Sequence, residues 1–265
     1  MTQFVWKTGI NGDWNTAADW AGGVVPDSTT ADVTIANGTA EISSGETETV
    51  DSITLSSSAA TLDIQGLLDL GGTKDILVVS TGTLDVLSGG TIADGTIDVG
   101  TGAVTFGTNA LLDNITYLGN LSIAAGQVLD NEGGLVVKTA AGALPGTINI
   151  GGSAVLDVEG TETINSVVIN LGSTAGGAFL EHDRIGFGGT LVLGKAVTLN
   201  ATGANDGISD AGGAIIINDG IINVDGAGFV TEGGASFANA GTINIAAGDS
   251  LTESESTFTN SGTIF

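Results

Sequence analysis

The chain has 265 residues, of which 42 % are hydrophobic and only 13 % charged, with 44 glycines, two prolines and no cysteine. Thirty acidic side chains against five basic ones give a formal net charge of -25, so neither a nucleic-acid backbone nor an anionic membrane surface finds a basic footprint here. The lack of cysteine excludes disulfides, thiolate nucleophiles and zinc–thiolate sites, and no apolar run reaches the length of a membrane span.

Residues 1–35 stand apart from the rest. All three tryptophans, Trp6, Trp14 and Trp20, fall here, separated by the turn signals Asn11-Gly12-Asp13 and Gly22-Gly23. A stack of repeats leaves an open rung that a different sequence must cover. The segment is therefore expected to be an N-terminal cap or first rung, with Trp6, Trp14 and Trp20 supplying apolar area. The competing reading of the same three rings is a sugar-stacking platform. The opening Met1–Lys7 heptapeptide has no basic region followed by an apolar stretch, so it does not read as a signal peptide.

Residues 36–265 read as a body of short strands and turns. Thr61-Leu62-Asp63-Ile64, Thr83-Leu84-Asp85-Val86, Val155-Leu156-Asp157-Val158 and Thr198-Leu199 are examples, separated by Gly, Asn, Asp or Ser. One phrase returns as Gly95-Thr96-Ile97-Asp98-Val99, Gly146-Thr147-Ile148-Asn149-Ile150 and Gly241-Thr242-Ile243-Asn244-Ile245. Phe237, Asn239, Gly241, Thr242 and Ile243 recur as Phe258, Asn260, Gly262, Thr263 and Ile264. A period of about 21 residues is the length of one coil of a β-solenoid, and the body would hold roughly 10 or 11 rungs. Within each triplet such as Ile243-Asn244-Ile245 the period of two sends the branched side chains inward and the polar one outward. The predicted fold is all-β, a single-stranded parallel β-helix.

The copies blur near 105–140 and 172–214, where irregular rungs or projecting loops are expected, and such insertions are where repeat proteins often carry function. The second stretch holds Glu181, the sole histidine His182, Asp183 and the sole arginine Arg184. Three readings stay open for this cluster: a charged surface turn, a ligand site, or a lyase-like centre in which carboxylates bind an acidic polysaccharide through calcium and Arg184 assists proton abstraction. Strand alternation places Glu181 and Asp183 on one side and His182 and Arg184 on the other. Asn205, Asp206 and Asp210 offer oxygens at short spacing, a candidate calcium site although not a full calcium loop. No cofactor other than calcium is suggested. Asn239 and Asn260, one repeat apart, are either a buried corner ladder of amides or two solvated turn residues.

The opening Trp6…Gly12-Asp13-Trp14-Asn15…Asp19-Trp20…Val24-Val25-Pro26 resembles the N-terminal module of large bacterial surface and secreted β-solenoid proteins. The Gly-Thr-Ile-Asn/Asp repeats resemble the passenger regions of autotransporters and filamentous-haemagglutinin-like adhesins. The resemblance implies a right-handed coil, a place outside the cell or on its surface, and a non-catalytic adhesive or matrix role with a carbohydrate or cell-surface ligand. It carries over no catalytic residue. A parallel crossover favours the same hand. Two alternatives remain: a carbohydrate-active lyase or hydrolase on the same fold, and a fibre or layer subunit that self-associates through its terminal rungs.

Overall fold

A computed structural model describes residues 1–72, 74–172, 176–184, 188–210, 213–233, 236–255 and 257–265. Among them the backbone is almost entirely short strands and turns, with a single 3-10 turn at Ala17–Asp19. The strands pair in parallel with those one turn away, as the repeats predict, at about 22 residues per turn on average. The chain divides into two compact units, Met1–Gly119 and Asn120–Phe265.

In the first unit each turn feeds two sheets. One contains Thr2–Val5, Ser28–Ile35, Thr47–Leu55, Thr91–Asp98 and Ala110–Leu118, with Leu67–Asp69 and Ile76–Val78 sharing one turn. The other contains Ile10–Asp13, Gly38–Ile42, Ala60–Ile64, Thr83–Val86 and Ala103–Phe106. In the second unit each turn visits three sheets. The first begins Asn120–Ile123, Gly146–Ile150, Val167–Leu171 and continues through Thr198–Ala201, Ile221–Val224 and Thr242–Ile245 to Thr263–Ile264. The second includes Val128–Lys138, Val155–Val158, Phe179–His182, Asp206–Asp210 and Phe229–Glu232. The third runs from Glu162–Ile164 through Thr190–Leu193, Ile215–Asn218 and Ser236–Asn239 to Thr257–Asn260.

Strands this short are stable only because each buries alternate side chains against the turns beside it. In Ala60–Ile64, Ala60, Leu62 and Ile64 are fully buried while Thr61 and Asp63 point outward. Leu62 sits in register with Leu84, and Ile169, Leu199, Ile222 and Ile243 form a similar interior column in the second unit. Each such side chain stabilises the fold by about 1.5–3 kcal/mol through removal from water. Phe237 lies in register with Phe258, their rings 5.9 Å apart and 3° from parallel, as the 21-residue recurrence requires.

The period is not uniform. Stacked partners are 20 residues apart at Ser52 and Asp32, 21 at Asn218 and Asn239, and 30 at Asn200 and Asn170. Corners absorb the extra length, so strand register survives. Residues 105–140 are largely strand, including the nine-residue Ala110–Leu118 and the eleven-residue Val128–Lys138. The 172–214 stretch lies partly outside the described residues.

The three tryptophans make the core of the first turns. Trp20 meets Trp6 and Trp14 edge-on, each at 4.8 Å between ring centroids, and all three rings are buried. Each indole N–H donates to a backbone carbonyl: Trp6 to Ile10, Trp14 to Pro26 and Trp20 to Trp14. The sugar-platform reading therefore fails, because no ring presents a face to solvent.

Candidate functional site

The second sheet of the second unit bears an outward recess. Its residues Asp130, Asp157, Glu181, Ser209 and Glu232 follow one another in register on successive turns. Beside them Val155, Phe179, Gly207 and Val230 form a second column. Gly207 is required there: a Cβ would lie 2.3 Å from the Val230 carbonyl oxygen and 3.0 Å from the Phe179 ring. The recess on the same sheet has a volume of about 390 Å³ and is lined by Val155, Phe179, Glu181, Ser209, Asp210, Glu232 and Gly233. Its lining combines apolar Val155 and Phe179 with acidic Glu181, Asp210 and Glu232.

The 181–184 cluster is not one site. Glu181 faces the recess. His182 points inward and is fully buried, with Nδ1 2.7 Å from the Val158 carbonyl oxygen. Asp183 leaves the strand in the left-handed region, φ 60°, and is buried at the corner. That turn breaks the alternation, which corrects the expected pairing of Arg184 with His182. Arg184 instead swings to the acidic column, with Nε 3.7 Å from an Asp157 carboxylate oxygen and its backbone N–H donating to the other at 3.3 Å. Burial is the main force raising the carboxyls of Asp130, Asp157 and Glu181 above their ordinary values. Burial, then the Asp157 and Asp183 carboxylates, push Glu159 up to about 8.

The proposed calcium ligands do not converge either. Asp206 and Asp210 close opposite ends of one strand, roughly 13 Å apart at a rise of about 3.3 Å per residue. Asp206 is spent on the backbone, accepting from the N–H groups of Ala178 at 2.9 Å and Gly203 at 2.6 Å. Asn205 occupies a left-handed turn position, φ 59°. Among the described residues, no group of three or more His, Asp or Glu side chains is arranged to hold a metal.

Polar columns recur in the second unit, one of them largely buried. Asn239 and Asn260 do stack, with Asn218 below them. Asn218 Nδ2 donates to Asn239 Oδ1 at 2.8 Å, and Asn239 Nδ2 to Asn260 Oδ1 at 2.7 Å. Asn218 and Asn239 are buried, so the solvated-turn reading holds only for exposed Asn260. A longer amide column lies on the first sheet of the same unit. Asn170 donates to Asn149, Asn200 to Asn170, Asn223 to Asn200 and Asn244 to Asn223, at 2.8–2.9 Å. The expectation of a single ladder at Asn239 and Asn260 missed this one. Its signal was the repeated apolar-Asn-apolar triplet, whose middle residue stacks at every turn.

The first unit has a carboxylate column comparable to the amide column on the first sheet of the second unit. Asp13, Glu41, Asp63 and Asp85 are in register on the outward face of its second sheet. Burial, then Asp85 and Glu41, raise the Asp63 carboxyl. The unit also has a polar recess of about 550 Å³, bounded in part by Asp69, Lys74, Asp75, Asp94, Asn114 and Thr116. Lys74 is engaged at its edge, with Nζ 2.5 Å from Asp32 and 3.9 Å from Asp51.

Glycoside hydrolysis needs two carboxyl groups flanking the bond, whereas Asp157 and Glu181 stack on the same face of adjacent strands. Asp157 is buried and committed to Arg184. No helix among the described residues is long and apolar enough to cross a membrane. No family model, curated protein or solved structure matches the chain.

Proposed function

We propose that this chain is a non-catalytic structural or adhesive segment that works outside the cell or on its surface. One observation carries the reading: turn after turn, strand register holds outward side chains in fixed columns, Asn149 to Asn244 in the second unit and Asp13 to Asp85 in the first. A rigid scaffold of this kind loses little freedom when it meets a partner. The Phe179–Glu181–Glu232 recess is the place for a carbohydrate or cell-surface ligand.

The test is to incubate the chain with neutral and acidic polysaccharides, with and without calcium, and to follow both retention and product release. Retention without new reducing or unsaturated ends is expected. New ends that vanish in Glu181→Gln would replace this reading with the carbohydrate-active one, which the position of Glu181 in the recess favours. Sedimentation over a range of concentrations separates both from self-association, where mass would grow with concentration.

A further inference from the structure

The first sheet of the second unit turns an uncharged face outward. Next to the amide column runs a second one in which Thr147, Val168, Thr198, Ile221 and Thr242 occupy successive turns. None of the ten positions in these two columns carries a charge, in a chain with thirty acidic residues. Lys195, Asp219 and Asp225 fall in the flanking turns. Pairing runs residue by residue without a register shift across these turns. Ile221, the most protruding of the group, is 40 % exposed.

The result is a net of methyl, hydroxyl and amide groups. Its spacings are about 4.8 Å between strands and about 6.7 Å between outward neighbours along a strand. The amides bond to one another, so their orientations are set before any partner arrives. What such a net can hold is narrow. From Asn120–Ile123 to Thr263–Ile264 the face covers roughly 400 Å², about half of what each partner buries in a stable protein pair. A glycan platform would need outward aromatic rings, and the two columns have none. An ionic ligand finds no counter-charge.

A ligand that is flat, uncharged and itself a repeating lattice of hydrogen-bonding oxygens on this scale is crystalline water. We propose that this face binds ice. Each turn would meet an equivalent lattice site, so small contacts add along the columns. The Thr, Val and Ile methyl groups displace loosely held water, while Thr hydroxyls and the second N–H of each amide take lattice hydrogen bonds.

The test uses the whole chain in ice-partitioning and ice-recrystallisation assays. Thr198→Lys and Ile221→Lys place a charge in the middle of the face without touching the core. Thr61→Lys does the same on the outward face of the first unit. Thermal unfolding confirms that each variant is folded. The expected result is enrichment of the parent chain in ice and arrest of grain growth, both lost in Thr198→Lys and Ile221→Lys and kept in Thr61→Lys. Partitioning no better than an inert acidic protein overturns the proposal. So does equal activity in the two face variants, or equal loss in Thr61→Lys.

Discussion

One sheet in each unit solves the same backbone problem with opposite side-chain chemistry. In both, the middle residue of an apolar-polar-apolar triplet points outward and lands directly above its counterpart one turn away. On the first sheet of the second unit that residue is Asn, and each inner amide donates to one neighbour and accepts from the other. On the second sheet of the first unit it is Asp or Glu, which can only accept once ionised. The carboxylates therefore repel along the column and lean on hydroxyls such as Ser43, which donates to Asp13 at 2.7 Å. Parallel stacking forces like to meet like. Whether that contact stabilises or strains the sheet depends on whether the side chain can both donate and accept a hydrogen bond.

The sharpest way to break this contrast is in the buried ladder. Asn218→Leu should cost about 3 kcal/mol, because it orphans the Asn239 carbonyl oxygen and the Gly220 N–H that Asn218 now satisfies; urea unfolding reads the loss directly. Exchanging the two chemistries at the surface should give smaller effects of opposite sign. Asn200→Asp removes the donor to Asn170 and should destabilise by about 1–2 kcal/mol. Asp63→Asn relieves repulsion from Asp85 and Glu41 and should stabilise by about 0.5–1 kcal/mol. Equal signs in the two denaturation midpoints would end the distinction.

An effect of the same small size is expected in pH. Glu159 in the second unit is raised to about 8 and Glu48 in the first to about 7, both mainly by burial. A carboxyl raised on folding disfavours the folded state where it must ionise. That cost is complete above the folded value and fades as pH falls through it toward the unfolded value. Stability should therefore rise from pH 9 to pH 5, by about 1 kcal/mol after allowing for solvent screening. Asp32, held low by Lys74, works in the other direction only at more acid pH. Glu159→Gln should flatten the upper part of the profile and Glu48→Gln the lower.

Much of this was legible in the sequence. The Phe237–Phe258 and Asn239–Asn260 pairs share an offset because each turn there has the same length, so stacking could be read from spacing alone. The offset of 30 between Asn170 and Asn200 hid the longer amide column, since a fixed period cannot see a corner that has grown. Trp6, Trp14 and Trp20 announced a distinct opening segment. Their burial required knowing that Trp20 wedges between the other two. The fate of Arg184 was beyond alternation arguments, because one left-handed residue, Asp183, reverses the side on which the next side chain emerges. Asp206 looked like an ion ligand by composition, yet two backbone N–H groups had already claimed its oxygens.

The amide columns of the second unit also have a sense. Along Asn149 to Asn244 each N–H points toward the earlier turn, whereas from Asn218 to Asn260 it points toward the later one. Side-chain dipoles aligned within each column accumulate as peptide dipoles do in a helix. Because the two columns run in opposite senses, their fields oppose one another in the turns that carry both, from Asn218 and Asn223 to Asn239 and Asn244, whereas the earlier turns, from Asn149 to Asn200, carry one sense alone.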